Sequence, residues 1–238
     1  MSRFANRQDL ITHAKRFVKT RMDSLERDVN HCVKTEPYAP FPALIYCFSN
    51  VDLLGSLYAG RADKNAPTTQ QSKKYMKDFM GYDEEQSTLL QCIFRHKLVH
   101  LAEPLLSVIE YKSRRIAWTY NHYNMVNHLI FVPAATSNNK IQVAASWEIQ
   151  FDEIFEISIL GLANDIVSSV YKTHGYMEML EKDNNIQDHF ENAIEDIHAK
   201  LDVRSLCDRN DDDHTKLQQG MRYILIPFHQ YSKYLFTC

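Results

Sequence analysis

Residues 43–60 read Ala-Leu-Ile-Tyr-Cys-Phe-Ser-Asn-Val-Asp-Leu-Leu-Gly-Ser-Leu-Tyr-Ala-Gly, apolar on nearly every side at helical spacing. A helix of that kind has no face to give to water and has to be wrapped by other elements. The segment therefore predicts a buried helix over 43–59, closed at Gly60 by a residue suited to the left-handed conformation. Its polar positions, Ser49, Asn50 and Asp52, are read as a buried trio. They are either partnered structural groups, as buried polar groups normally are, or contributors to a site.

The surrounding sequence supplies the wrapping. Residues 3–33 place Leu10, Ala14, Phe17, Val18, Met22, Leu25, Val29 and Cys32 on one face of a long amphipathic helix. Pro37, Pro40 and Pro42 then forbid helix and predict a stiff connector. After a polar loop, a short amphipathic helix is expected near Gln70–Met80, stopped by Gly81. The next helix, about 83–101, opens with acids in its first turn and carries Leu89, Leu90, Ile93, Phe94, Leu98 and Leu101 at helical spacing, with Pro104 limiting it.

Beyond Tyr111 the composition turns to branched and aromatic residues around Trp118, Ile130 and Trp147, separated by Asn-rich turn signals. This predicts a small antiparallel sheet of two or three strands, with both tryptophans in strands. Residues 149–171 and 177–206 read as helices again, and the aromatic tail 221–238 as a docked helix or strand broken at Pro227. The expected fold is mainly α. It comprises a helical bundle core (1–104), a β insertion (111–148, with strands over about 115–147) and a C-terminal helical part (149–238) packing on that core, all in one domain. A chain of 238 residues is long enough for that.

Uninterrupted apolar runs fall far short of the roughly 18 residues a membrane helix needs, and the N-terminus lacks the apolar core of a signal peptide. The expectation is a cytoplasmic protein with no membrane partner. The five cysteines are scattered without a Cys-x-x-Cys, and Cys47 and Cys92 read as small core residues. Net charge is −3, but residues 1–140 hold 19 Lys/Arg against 13 Asp/Glu and residues 141–238 hold 8 against 17. Lys73, Lys74, Lys77, Arg95, Lys97, Lys112, Arg114 and Arg115 lie in the basic half, either as a solvated charged face or as a local surface for a polyanion.

The stretch Phe94-Arg95-His96-Lys97-Leu98-Val99-His100 closes the helix over 83–101. An arginine followed by a polar residue and, five positions on, a histidine resembles the R-x4-6-H motif of HEPN-family ribonucleases. Four other pairs share the spacing: Arg7/His13, Arg115/His122, Arg209/His214 and Arg222/His229. Of these only Arg209 is followed by a suitable polar residue, and it lies in an acidic stretch without apolar periodicity. A buried helix, a short amphipathic helix and a helix ending in the motif also resemble the HEPN core, over about residues 40–104.

The resemblance implies a HEPN-like dimeric bundle and metal-independent RNA cleavage of the toxin or phage-defence kind, leaving 2′,3′-cyclic phosphate ends. The chemistry suits the residue types. RNA carries its own nucleophile in the 2′-hydroxyl, His100 has the pKa range for proton transfer, and Arg95 offers a charged planar fork to phosphate. His96, Lys97, Asn50 and Asp52 are the supporting candidates. No cofactor or metal is expected. On a straight helix, residues five apart diverge by about 140°, so the site is expected to be composite and the protein a homodimer, with RNA and an antitoxin or regulatory protein as partners. Three alternatives stay open. His96 and His100 have the spacing of a metal pair, with Glu103 as a third ligand. Arg95 pairs with an acid while His100 caps a helix C-terminus. Or the chain is a non-catalytic HEPN-like module for dimerisation, partner or nucleotide binding.

Overall fold

A computed structural model describes residues 3–95, 108–135, 139–144 and 147–198. The chain divides into two units, Met1–Ile197 and His198–Cys238, and the fold described is that of the first. It is mostly helical with a small β region.

Helix α1, Arg7–Lys34, begins at Asn6, whose side chain accepts the Asp9 N–H at 2.9 Å, satisfying one of the unpaired donors of a helix start. Its buried residues Leu10, Ala14, Val18, Met22, Leu25, Val29 and Val33 recur every three or four positions and form one stripe. Helix α2, Pro40–Ala59, is the central helix. It starts earlier than expected, because Pro40 and Pro42 sit in its first turn, where a missing N–H costs nothing. Gly60 ends it with φ 74°.

Helices α3, Thr68–Tyr75, and α4, Glu84–Leu89, each run on into a π turn, Met76–Met80 and Leu90–Arg95 respectively. Gly81, at φ 77°, stops the first. A reciprocal capping box between Asp83 and Gln86 starts α4. The helix expected over 83–101 is thus described only to Arg95, and there as a wider turn.

The β region is larger than two or three strands and is not purely antiparallel. Strands β1 (Val108–Tyr111), β2 (Arg114–Asn121), β3 (Ile130–Pro133) and β6 (Glu153–Ser158) form one sheet in the order β1-β2-β6-β3. A separate hairpin joins β4 (Lys140–Ala144) to β5 (Trp147–Gln150). β1 and β2 are joined through Lys112 and Ser113, both at positive φ, as a tight two-residue hairpin requires. β6 pairs parallel with β2 (Trp118↔Phe155) and antiparallel with β3 (Phe131↔Phe155). Both tryptophans lie in strands, as the branched-residue runs predicted.

The expected helix over 149–171 is corrected. Its first part completes β5 and forms β6, and helix α5 occupies Ile159–Tyr171. Ser158 ends the strand and caps the helix, its hydroxyl accepting the Gly161 N–H. The expected helix over 177–206 is two helices, α6 (Tyr176–Lys182) and α7 (Asn184–His198), parted at Asp183. The sheet is not an appendage. Ile116, Trp118, Phe155 and Ile157 are buried in one core with α1, α2 and α5. Among the described residues, no helix is long and apolar enough to cross a membrane. Residues 199–238, with the tail and Cys207 and Cys238, lie outside the described residues.

Candidate functional site

Arg95, the last residue of the π turn after α4, donates from Nε to Asp52 Oδ2 of α2 at 2.6 Å. The other carboxylate oxygen, Oδ1, accepts the hydroxyl of Ser72 from α3, also at 2.6 Å. Three helical segments therefore meet at one carboxylate. Both charged side chains are about one-fifth exposed, 21% each, so the pair is largely removed from water yet open on one side. A single-point contact through Nε engages neither terminal amino group of the guanidinium.

The trio on α2 separates. Ser49 is exposed and returns its hydroxyl to the Ile45 carbonyl at 2.8 Å. Asn50 is buried and donates to the Tyr46 carbonyl at 2.9 Å. Both make the local back-bond open to polar side chains inside helices. Positions 50 and 52 lie about 200° apart around a helix, so Asn50 does not join Asp52, and the expectation of three buried groups is corrected to one. His96, Lys97 and His100, together with Glu103, lie outside the described residues. Among the described residues, no group of three or more His, Cys, Asp or Glu is placed to hold a metal ion.

The basic residues named from the sequence are mostly neutralised where they are described. Glu84 accepts from both Lys73 (2.7 Å) and Lys77 (2.8 Å). Those two hydrogen bonds, Lys73 first, pull its carboxyl down to about 2. Lys74 bonds Asp78 and the Tyr58 hydroxyl. Arg114 is shared by Glu85 and Glu153, and Arg115 pairs with Asp152. Lys112 stands over the ring of Tyr111. The competing motif pairs are likewise occupied where described. Arg7 pairs with Asp188 while His13 sits among Phe4, Phe17 and Phe190, and His122 packs on Tyr38.

A second polar cluster was not legible in the sequence. Tyr82 donates to Asp165 Oδ2 at 2.8 Å, and His128 Nε2 approaches the same oxygen at 3.1 Å. The backbone N–H of Ser158 points at His128 Nδ1, 3.0 Å away. An N–H donor at Nδ1 requires that nitrogen to be unprotonated, so the ring proton sits on Nε2 and is given to Asp165. Both ring nitrogens are committed, so the cluster ties the segment before β3 to Ser158, to α5 and to the loop before α4. Burial, then the Asp165 charge, pushes the Tyr82 hydroxyl well above its ordinary pKa. Cys47 is fully buried, and burial likewise raises its thiol.

Ser72 is the site residue that sequence reasoning missed. Its partner lies 20 residues away on another helix, and no local pattern marks it. Comparison of the chain with protein-family models, with curated proteins and with solved structures gave no match.

Proposed function

We propose that the chain is a HEPN-like, metal-independent RNA endonuclease of the toxin or phage-defence type, acting as a homodimer. Arg95 stabilises phosphate charge and His100 transfers a proton. The observation that carries this reading is the seating of Arg95. Asp52 holds it at Nε, Ser72 holds Asp52, and the terminal amino groups that match phosphate oxygens are left unused by the pair. A guanidinium kept charged, partly desolvated and oriented at the end of a π turn is what a phosphate-stabilising group needs, and π turns recur at functional sites. Asp52 serves as the orienting carboxylate, and the 2′-hydroxyl of the RNA as the nucleophile.

The test is cleavage of single-stranded RNA by purified protein in excess chelator. His100→Ala is expected to lower the rate by roughly two to four orders of magnitude, and Arg95→Ala to lower it strongly and also to lower stability through loss of the Asp52 pair. Arg209→Ala and His214→Ala are expected to leave it unchanged. Rates that survive His100→Ala, or RNA left whole by wild-type protein, overturn the reading.

One observation favours a second reading, a non-catalytic HEPN-like module that dimerises and binds a partner protein or nucleotide. Lys73, Lys74, Lys77, Arg114 and Arg115, the described cations singled out from the sequence beside Arg95 itself, are each paired with a carboxylate. Light scattering tests the dimer that both readings share. A strict monomer at micromolar concentration argues against any composite site between copies.

A further inference from the structure

We propose that Ser72 is a positioning residue that keeps Asp52 from closing a two-point grip on Arg95, and so preserves the terminal amino groups of the guanidinium for a phosphate-bearing ligand. This rests on the reading of Arg95 as the phosphate-holding group.

Arginine and carboxylate left to themselves favour a fork-to-fork pair, with two parallel N–H···O bonds. Here one bond forms, from Nε to Oδ2. The second oxygen is directed at α3 by the Ser72 hydroxyl at 2.6 Å. Ser72 is fully buried. Inside a helix its hydroxyl has an easy local acceptor in the carbonyl one turn back, the choice that Ser49 makes with Ile45. Ser72 instead reaches across to another helix, and among the described residues its hydroxyl bonds the carboxylate that holds Arg95.

The reach depends on Gly55. A Cβ built there would lie 2.8 Å from the Ser72 backbone nitrogen and 2.9 Å from its Cα. The backbones of α2 and α3 therefore touch three residues after Asp52, at a point where no side chain fits. That contact brings the Ser72 hydroxyl within bonding distance of Asp52. Gly55 sets the helix spacing, Ser72 orients the carboxylate, and Asp52 presents the arginine.

The experiment follows the guanidinium directly. In nitrogen-15-labelled full-length protein, the Arg95 Nε–H is expected to exchange slowly with water and its terminal amino protons rapidly. Ser72→Ala, or the near-isosteric Ser72→Cys with its weak donor, is expected to slow exchange of a terminal amino proton as the second bond closes. Ser72→Thr, which keeps the hydroxyl, is expected to restore the wild-type pattern. In parallel, binding of a non-cleavable 2′-O-methyl RNA oligonucleotide is expected to weaken by about tenfold in Ser72→Ala, the scale of one bond to a charged group. Terminal amino exchange in both Ser72→Ala and Ser72→Cys that matches wild type overturns the proposal. Wild-type protein that neither binds nor cuts RNA, with the exchange signature present, overturns the ribonuclease reading and leaves the Ser72 assignment standing.

Discussion

Asp52 and Arg95 are separated by 43 residues of sequence and meet at 2.6 Å, the carboxylate on the buried helix α2 and the guanidinium at the end of the π turn after α4. The bond ties the central helix to the segment that leads into the motif, so its removal is felt in both stability and site geometry.

Asp52→Ala leaves a charge that is four-fifths buried without its partner. Breaking a buried pair from one side costs about 3–5 kcal/mol, and partial exposure here reduces that to about 2 kcal/mol. Urea unfolding is expected to show a lower midpoint with an unchanged slope. A midpoint equal to wild type would show that the pair carries no stability.

Gly161→Ala is expected to destabilise the protein although alanine is the better helix former. A Cβ at Gly161 would lie 2.7 Å from His128 Cγ, and that ring is pinned by Asp165 and the Ser158 N–H. Overpacking of this kind costs about 1–3 kcal/mol, against a helix gain of about 0.5–1 kcal/mol. In a His128→Ala background the same substitution should lose its penalty. Equal penalties in the two backgrounds would remove the clash as the cause.

The Lys73–Glu84–Lys77 clasp gives a pH-dependent signature. The Glu84 carboxyl sits at about 2, below its ordinary 4.5, because both lysines hydrogen-bond it. A depressed folded pKa means that the clasp contributes fully above about 4.5, and that the contribution is lost as the pH falls through about 2. Carboxyl chemical shifts across an acid titration should place the Glu84 midpoint near 2. Lys73→Ala should move it upward, as should added salt, which screens an exposed site. A midpoint near 4.5 in the wild type contradicts the clasp.

The two tryptophans should respond differently to a water-borne quencher. Trp118 is fully buried and Trp147 is 57% exposed. Acrylamide is expected to quench one emitter strongly, and Trp147→Phe to remove that component. A single quenchable population that survives Trp147→Phe would misplace one of them.

What the sequence made legible was what local periodicity encodes. The apolar stripe of α1 and the all-round apolar α2 are patterns of a few residues, and both became the helices expected. The register of β6 was hidden because residues 151–170 mix two periods. Phe155 and Ile157 alternate as a strand does, then Ile159, Leu162, Ala163 and Ile166 follow a helix. Ser158, the cap at the change, was the available signal. Within the candidate site, Arg95 meets Asp52 directly, the pairing with an acid that the structural alternative for the motif expected, whereas Asn50, two residues earlier, faces away. Ser72 and the His128–Asp165–Tyr82 brace depend on partners 20 to 83 residues distant, and such pairings leave no trace in a window of one turn.

The place of β6 in the sheet has a consequence for how the protein is made. β2 is flanked by β1, its hairpin neighbour, and by β6, which follows it by more than thirty residues of chain. A nascent chain halted before Glu153 would carry β2 with one row of backbone donors and acceptors unclaimed, beside a tryptophan that the finished molecule buries. Such an edge is a template for pairing with another copy. Premature termination between Asn121 and Glu153 should thus yield fragments that self-associate, whereas a chain that extends through β6 has both sides of β2 paired.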